Sequence, residues 1–420
     1  MDFTEEVVNF VSSDNNTAEM KTAIIGGGAA GFFLAINLKE RCPRMEVTIF
    51  ERARKVLAKV EVSGGGRCNC TNTFDGVSDL QQVYPRGHRL MKRLFNIFGP
   101  ADAYRWFEEH GVPLVAQTDG CVFPEAQDSH AIIGCFVELA RRLGVRVLTE
   151  HPVNSLDELT DYDFVCVTVG GQPREKQFGW LAAAGHAIQT PVPSLYTFSV
   201  ADERLRALMG TVVEHATASL PSTSFRADGP LLITHWGMSG PAILRLSSYA
   251  ARYLSERNWQ SPLSVNWLSL PDTDVSALLQ DCIIRQPQKQ LSTVRPHGLP
   301  ARLWDYLLGK ALGTSADRRW GMLGKKDCNR LVNVICNDSY AISGRGVFKE
   351  EFVTCGGIDL KSVNLSTLES RHVPHLFFAG EVLDVDGVTG GFNFQAAWTT
   401  AYVVAEQIAK EMRNKMRNEK

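Results

Sequence analysis

A glycine-rich turn near the N-terminus has the residue types and spacing that bind a diphosphate. Gly26, Gly28 and Gly31 stand in a G-x-G-x-x-G arrangement, with Ala29 and Ala30 between the last two. In such a turn the first glycine permits a tight bend, the second lets the backbone approach a pyrophosphate, and the third lets the helix pack closely on the strand. The N-terminus of that helix favours the diphosphate charge. These residues predict dinucleotide binding, with a purely structural glycine turn as the alternative.

An acidic residue at the end of the next predicted strand completes this pattern. Glu51 follows Gly31 at about 20 residues, where an acid accepts hydrogen bonds from ribose hydroxyls and repels a 2′-phosphate. Arg52 comes directly after it. We therefore expect Glu51 and Arg52 beside the adenosine end of a dinucleotide.

A second glycine-rich segment, near the C-terminus, favours FAD over NAD. The predicted strand at 376–381 delivers Glu381 to a glycine turn, and residues 387–393 open the last predicted helix. A long FAD molecule needs such a second, distant helix start, whose N–H groups could polarise the flavin N1–C2=O edge. Glu381 could hydrogen-bond the ribityl hydroxyls. The alternative is an ordinary αβ turn in which the glycines serve only the backbone conformation. The predicted contacts are Gly380, Glu381, Gly390, Gly391, Phe392 and Asn393.

A third glycine-rich loop, residues 63–69, reads S-G-G-G-R-C-N. Its three glycines expose backbone N–H groups that can form an anion-binding nest. Arg67 and the upstream Lys59 could each pair with a phosphate, and Asn69 could hydrogen-bond the flavin or the substrate. A structural glycine loop is the alternative. The predicted contacts are Lys59, Ser63, Gly64, Gly65, Gly66, Arg67, Cys68 and Asn69, together with Gly170 at the end of another predicted strand.

Two side chains are candidates for a catalytic role. Cys68 could act as an acid or a redox partner, but cysteine is also among the residues most often buried and inert. His235 stands beside Trp236 after a predicted strand and could be an acid or base near the flavin. A satisfied structural histidine is an equal alternative. Without a CxxC pair or a histidine cluster, the sequence predicts no metal site.

The elements that must position these residues begin with a βαβ unit. Residues 22–25 and 47–51 read as buried strands on either side of a helix at 32–38. Residues 164–169 read as a further buried strand, and helical spacing covers 89–110. Helical spacing is also present at 127–143. The last helix is predicted from about 392 to 412.

The middle of the chain has a different texture. From about residue 193 the apolar residues alternate as in antiparallel strands, and 273–332 switches to a helical pattern broken by prolines. We therefore read 193–345 as an insertion, with a β-rich part and a small helical part inside it.

Composition and charge restrict the class of protein. The chain has 420 residues, of which 44% are hydrophobic and 21% charged, with a net charge of −2. This predicts two or three globular domains and argues against a whole-molecule polyanion binder. Ten scattered cysteines and the lack of a recognisable secretory signal predict a cytoplasmic protein. The sequence contains no run of about 18 apolar residues, so we predict no membrane-spanning helix. Residues 1–19 are interpreted as a flexible extension, or Met20 as the true start.

Four sequence blocks together resemble one known family. They are Ser63–Asn72, Thr234–Pro241, Val353–Gly357 and Phe378–Gly387. With the N-terminal glycine turn they span about residues 21–410, and they are similar to the BaiN/YhiN-like flavoproteins, the aminoacetone-oxidase-family FAD-binding enzymes.

The resemblance implies an α/β fold in which a Rossmann-like FAD-binding domain is interrupted by an insertion made of a β-barrel and a small helical subdomain. It also implies non-covalent FAD and places Asp386 in a turn near the flavin. One loop departs from the family pattern: Gln172–Gly179 is shorter and more charged, so the substrate could differ. The expected boundaries are 20–192 and 346–420 for the FAD-binding domain, 193–272 and 333–345 for the barrel, and 273–332 for the helical subdomain.

The expected activity is that of an FAD-dependent oxidoreductase. Hydride would pass between a donor, expected to be NAD(P)H, and an unsaturated small-molecule acceptor. Because no second dinucleotide motif is present, NAD(P)H would dock transiently over the flavin, or the substrate itself would reduce the flavin. Residues 285–330 carry ten Lys or Arg against three Asp, a local excess of +7. That segment is a solvated helix face or an RNA-docking surface, and the second reading makes a base in structured RNA the acceptor. A non-catalytic flavin-bound sensor is the third hypothesis.

Overall fold

The computed structural model describes residues 20–313, 318–346 and 353–418. The extension expected over 1–19 lies outside these residues. The strands are β1 (Lys21–Ile25), β2 (Glu46–Phe50), β3 (Thr71–Asn72), β4 (Leu114–Ala116), β5 (Cys121–Pro124), β6 (Arg146–Leu148), β7 (Phe164–Val167), β8 (Ile188–Ser194), β9 (Phe198–Val200), β10 (Val212–Ser219), β11 (Arg226–Ile233), β12 (Gly237–Ser239), β13 (Ser261–Asn266), β14 (Asp338–Arg345), β15 (Val353–Ile358) and β16 (Leu376–Phe378).

The helices fall mainly in the outer thirds of the chain and between β13 and β14. They are α1 (Ala29–Arg41), α2 (Ala58–Val62), α3 (His88–Leu94), α4 (Pro100–Glu109), α5 (His130–Arg142), α6 (Gly179–Ala183), α7 (Glu203–Arg206), α8 (Pro241–Tyr249), α9 (Ala251–Ser255), α10 (Asp272–Arg285), α11 (Ala301–Leu312), α12 (Lys325–Cys336) and α13 (Phe392–Asn418). Short 3-10 helices include Ser63–Gly66 and Gly380–Val382.

A five-stranded parallel sheet in the order β16-β7-β1-β2-β6 forms the centre of the first domain. Its central strands are apolar on both faces because helices cover both sides. Every residue of α1 from Ala30 to Leu38 is buried, and α13 packs beside α1. The carboxyl ends of β1, β2, β7 and β16 therefore meet at one edge, where their following loops assemble.

The insertion contains a closed six-stranded barrel in the order β10-β11-β12-β9-β14-β13. Helices α10 to α12 lie between β13 and β14 and form the helical part. The expected fold class, a Rossmann-like domain interrupted by a barrel and a helical region, is confirmed. The exact domain boundaries stay predictions.

Two antiparallel strands join the domains. The chain leaves the first domain through β8 and returns through β15, and the two strands pair with Val353 opposite Ser194.

The helix predicted across 89–110 is in fact two helices, α3 and α4. The break has a local cause, because Gly99 caps α4 and Pro100 occupies its first turn, where proline is favourable. Among the described residues, no helix is both long and apolar enough to cross a membrane.

Candidate active site

The N-terminal glycine turn lies at the carboxyl end of β1, and its three glycines meet three different surroundings. Gly26 has φ +114°, and a side chain there would collide with the Thr168 carbonyl. A side chain at Gly31 would collide with the Gly26 carbonyl. Beside Gly28, in contrast, no atom of the residues that the structure describes lies within 4 Å of the position that a Cβ would take. The first and third glycines are thus needed for the fold, and the second leaves room for a ligand to approach the backbone.

The acidic residue after β2 is held against this turn. Glu51 Oε2 accepts a hydrogen bond from Gly27 N at 2.8 Å, and its Oε1 accepts one from Ala53 N at 2.8 Å. Each carboxylate oxygen has a further lone pair, so Glu51 can still accept from ribose hydroxyls. Arg52 points elsewhere, since its Nη1 donates to the Gln172 side chain at 3.3 Å.

The end of β7 closes the same turn. Thr168 Oγ1 donates to the Gly26 carbonyl at 2.9 Å, which fixes the bend. Gly170 follows with φ +70°, and a Cβ there would lie 3.8 Å from Glu381 Oε2. The sequence pattern indicated the strand and its glycines, but it gave no sign of the Thr168 contact.

The C-terminal segment arrives at the start of α1. Gly380 has φ +78°, and its added Cβ would lie 2.9 Å from the Ala30 Cβ. Gly380 N donates to Thr400 Oγ1 on α13 at 2.8 Å. The two glycine motifs, about 350 residues apart in the chain, are therefore in direct contact.

Glu381, which follows Gly380, contacts two other segments of the chain. Its Oε1 accepts from Thr354 N at 2.8 Å, and its Oε2 forms an ion pair with Lys59 Nζ at 3.1 Å. The Glu381 side chain is 20% exposed and the Lys59 side chain 59% exposed. Lys59 therefore binds a carboxylate of the site in this state, although the sequence suggested a phosphate partner.

The 63–69 loop turns sharply beside α2. Gly64, Gly65 and Gly66 all have positive φ, at 56°, 70° and 85°, and no atom lies within 4 Å of a Cβ at the last two. Ser63 Oγ donates to the Val60 carbonyl at 2.7 Å. Arg67 folds back onto the protein: its guanidinium lies 4.2 Å from the Phe123 ring centroid and donates to Gln127.

Asparagine side chains connect this loop to the start of α13. The Asn69 amide nitrogen donates to the carbonyls of Val122 and Thr71, and its oxygen accepts from Gly391 N at 3.2 Å. Asn72 Nδ2 donates to the Gly390 carbonyl at 2.9 Å. The 63–72 loop and the second helix start are therefore in direct contact, and their contact with FAD stays a prediction.

The Cys68 thiol is fully buried. Burial raises its pKa to about 12, although a hydrogen bond with Ser63 opposes the rise. A neutral, inaccessible thiol is a weak nucleophile, because the thiolate is the reactive form. The geometry gives no support to a catalytic role for Cys68.

Several residues that follow β16 fix the shape of the glycine turn through contacts inside the protein. Asp386 is fully buried and ion-paired with Arg86, and Asn393 exchanges two 2.8 Å hydrogen bonds with the Gly387 peptide. The Phe392 carbonyl accepts from Tyr84 Oη at 2.8 Å. These residues therefore position the glycines at 390 and 391.

His235 lies on the short connection between β11 and β12 and is exposed. Its ring contacts Trp236, with the centroids 4.2 Å apart. No described contact brings it to the 63–72 loop, so its catalytic role stays a prediction.

The assembled residues fit FAD. The open face of Gly28 lies at the start of α1, which has no acidic residue in its first turn and no side-chain cap. Such a helix start accepts a diphosphate, Glu51 suits a ribose, and the Gly391 region offers backbone donors. Among the described residues, no group of three or more His, Cys, Asp or Glu could hold a metal ion.

Comparison with known proteins gives one family. The sequence model described as HI0933-like protein Rossmann domain matches residues 20–407. The ribosomal RNA dihydrouridine synthase of Haemophilus influenzae is 28% identical over 412 residues, which cover 92% of this chain and 98% of that protein. The 3-dehydro-bile acid delta(4,6)-reductase of Clostridium scindens is 24% identical over 417 residues, covering 93% and 99%.

Among solved structures, the 3-ketosteroid delta1-dehydrogenase from Sterolibacterium denitrificans superposes with a TM-score of 0.50 at 11% identity. The match covers 94% of this chain and all of that one. At this identity the likeness shows a shared fold alone.

Proposed function

The chain belongs to the HI0933-like family of flavoproteins, and from that membership we propose that it is an FAD-dependent oxidoreductase that moves hydride from NAD(P)H to an unsaturated acceptor. One observation carries the proposal: the contact between the Gly26–Gly31 turn and Gly380, with Glu51 and Glu381 on either side. This arrangement provides a diphosphate site and two acids for hydroxyl groups within one continuous edge.

Each part of the chain has a distinct task in this proposal. The start of α1 binds the pyrophosphate, and Glu51 orients the adenosine ribose. Glu381 accepts the ribityl hydroxyls, in exchange for or beside its pair with Lys59. The backbone N–H groups near Gly391 stabilise negative charge, and bound FAD supplies two-electron hydride chemistry.

The names of the relatives suggest the class of acceptor. Dihydrouridine is uridine with its C5–C6 double bond saturated, and that bond is conjugated with a ring carbonyl. A 3-dehydro-bile acid delta(4,6)-reductase is likewise named for double bonds conjugated with a 3-keto group. We therefore propose that this chain reduces a carbon–carbon double bond conjugated with a carbonyl.

A second candidate has RNA as the substrate, and the basic segment favours it. Arg318 is paired with Asp327 at 2.8 Å, and Arg285 with Asp281, just outside the segment, at 2.6 Å, so part of the positive charge of 285–330 is neutralised locally. Lys289, Arg319, Lys325 and Lys326 are exposed.

If RNA docks there, its affinity falls with salt, and replacing Lys325 and Lys326 by Gln reduces the slope of log affinity against log salt by up to about 0.9 per lost phosphate contact. The control is Arg141→Gln plus Arg105→Gln, two exposed positions on the first domain. An unchanged slope removes this candidate.

The first experiment on the proposed function is anaerobic stopped-flow absorbance. The FAD-loaded protein is mixed with NADH or NADPH, and the flavin band near about 450 nm is followed. Rapid bleaching by one nucleotide, followed by reoxidation with uridine-containing RNA or a conjugated enone, is expected. A protein that cannot be loaded with FAD contradicts the proposal, and FAD that no nicotinamide reduces contradicts its choice of donor.

A further inference from the structure

Helix α8 of the insertion lies against the first domain. Leu244 and Tyr249 pack on the hydrophobic core of that domain, and Tyr249 Oη donates to the Gln82 carbonyl at 2.8 Å. Residues four apart in a helix share a face. Arg245, four residues before Tyr249, therefore lies on the side of α8 that faces the first domain.

Helix α8 also lies beside the segment that contacts the residues just before α13. Burial raises the pKa of the Cys121 thiol to about 11, and the charge of Arg245 is among the effects that oppose the rise. Tyr249 of the same face bonds to the Gln82 carbonyl, and the adjacent Val83 carbonyl accepts from Val388 N at 2.8 Å, shortly before α13 begins. Asn69 accepts from Gly391 N at 3.2 Å, where the flavin is expected.

The Arg245 guanidinium has a buried donor with no acceptor. Its Nε has no hydrogen-bond partner among the described residues. The other arginines at this junction are paired, Arg86 with Asp386 and Arg252 with Asp384 at 2.7 Å. A buried unsatisfied donor is destabilising, and such groups are few in native proteins, so this one calls for a partner such as a ligand oxygen.

We propose that Arg245 binds an electron-rich oxygen of the acceptor, either the carbonyl conjugated with its double bond or a carboxylate. This inference rests on the proposed function and names the residue of the insertion that recognises the substrate. It gives the insertion a direct part in binding the substrate, from the side of α8 that faces the first domain.

The chemistry of the acceptor explains why a guanidinium suits this place. When hydride, with its electron pair from NAD(P)H, adds to the far carbon of the double bond, the π electrons move onto the carbonyl oxygen. A proton then reaches the near carbon and restores the carbonyl. A fixed cation stabilises the oxygen most while it carries negative charge, and Arg remains protonated throughout.

A phenolate is a suitable probe, because its anionic oxygen on a flat ring resembles the charged acceptor. We would titrate the FAD-loaded protein with 4-chlorophenol and follow the long-wavelength charge-transfer band. The variants are R245Q and R245K, with R257Q as control, since Arg257 is 46% exposed and contacts Tyr253. FAD content is measured before phenol is added.

We expect R245Q to weaken phenolate binding by about 10- to 100-fold, the loss typical of a hydrogen bond to a charged group. It should also raise the pKa of the bound phenol, whereas R257Q leaves both quantities unchanged. R245K should fall between R245Q and the wild type. If R245Q does not load FAD, the phenolate affinity of R245K is compared with that of the wild type instead. Lysine keeps the positive charge but lacks the Nε–H donor of arginine.

Unchanged phenolate affinity in R245Q, or in R245K where that variant decides, overturns the inference. So does the lack of a charge-transfer band in the FAD-loaded wild type. Both outcomes leave the proposed function standing, because FAD loading and its reduction by NAD(P)H are scored separately. A wild type that takes up no FAD contradicts the proposed function itself.

Discussion

At the scale of single residues, the site separates glycines that the fold needs from a glycine that the ligand needs. Gly31 has the Gly26 carbonyl against it, whereas Gly28 faces open space with φ −94°. An alanine at position 28 is therefore compatible with the folded chain, but its methyl group stands where a diphosphate must approach the backbone.

This contrast gives a prediction for matched variants. Gly28→Ala should unfold within about 0.5 kcal/mol of the wild type without ligand, yet lose about 10-fold or more in FAD affinity. Gly31→Ala should lose both stability and FAD. Urea unfolding of the FAD-free protein and fluorescence titration with FAD measure the two effects. Normal FAD binding by Gly28→Ala would show that the diphosphate lies elsewhere.

The buried Cys68 thiol predicts a pH dependence of stability. Its pKa is about 12 in the folded chain against an ordinary 9.0. Above pH 9 the unfolded thiol loses its proton while the folded one keeps it, so this contribution to stability is intact below pH 9 and falls as the pH rises toward 12.

Between pH 8 and pH 10, the wild type should therefore lose about 1 kcal/mol more stability than Cys68→Ala. The difference between the two pH values is compared, because the alanine also changes packing at both. Urea unfolding at each pH measures the free energy of unfolding. Equal losses between pH 8 and pH 10 in the two proteins would show that the Cys68 thiol is exposed to water and keeps its ordinary pKa.

At the scale of elements, α13 fastens the 63–72 loop. Trp398 Nε1 donates to the Cys70 carbonyl at 2.7 Å, and Thr71 Oγ1 bonds to Gln395. The C-terminal helix therefore fixes the position of that loop. Loss of one of these hydrogen bonds should lower both the free energy of unfolding and the affinity for FAD.

Trp398→Phe should lower the free energy of unfolding by about 1–3 kcal/mol, because it leaves the buried Cys70 carbonyl without a donor. Trp180→Phe, at a partly exposed indole, is the matched control and should cost less. Chemical unfolding of both FAD-free variants tests this. Equal costs would show that ring volume, and not the hydrogen bond, accounts for the loss.

Elements with short, local signals could be predicted from the sequence. The βαβ unit and the insertion follow from apolar periodicity and glycine spacing, and the fold class is confirmed. The α3–α4 break at Gly99–Pro100 was missed, because helical spacing continues across it. The contacts of Lys59 with Glu381 and of Asn69 with Gly391 join residues more than 300 positions apart, and nothing in either local sequence specifies the partner.

At the scale of the whole molecule, an ion pair and a charged hydrogen bond connect the insertion to the first domain. Arg252 of α9 reaches Asp384, and Arg86, paired with the buried Asp386, also donates to the Ser248 carbonyl of α8 at 2.7 Å. Charges at buried positions are costly unless paired, so these contacts define one orientation of the barrel over the cofactor site.

Asp386→Asn should therefore destabilise the protein by about 3–5 kcal/mol, since it leaves Arg86 charged and buried without its partner. Asp384→Asn should cost much less, because its partner Arg252 is 41% exposed. The double change Arg86→Met with Asp386→Leu should recover part of the loss. Thermal and urea unfolding provide the comparison, and a single change at 386 that costs no more than the one at 384 would contradict it.

The pairing of β8 with β15 has an evolutionary consequence. Because Ser194 and Val353 are neighbours, the ends of the insertion meet, and a short hairpin could replace everything between them without rerouting the parallel sheet. The barrel and its helices can thus be gained, lost or exchanged as a unit during descent. An ancestral dinucleotide-binding protein could in this way acquire new substrates by recruiting one side of its cleft from a foreign module.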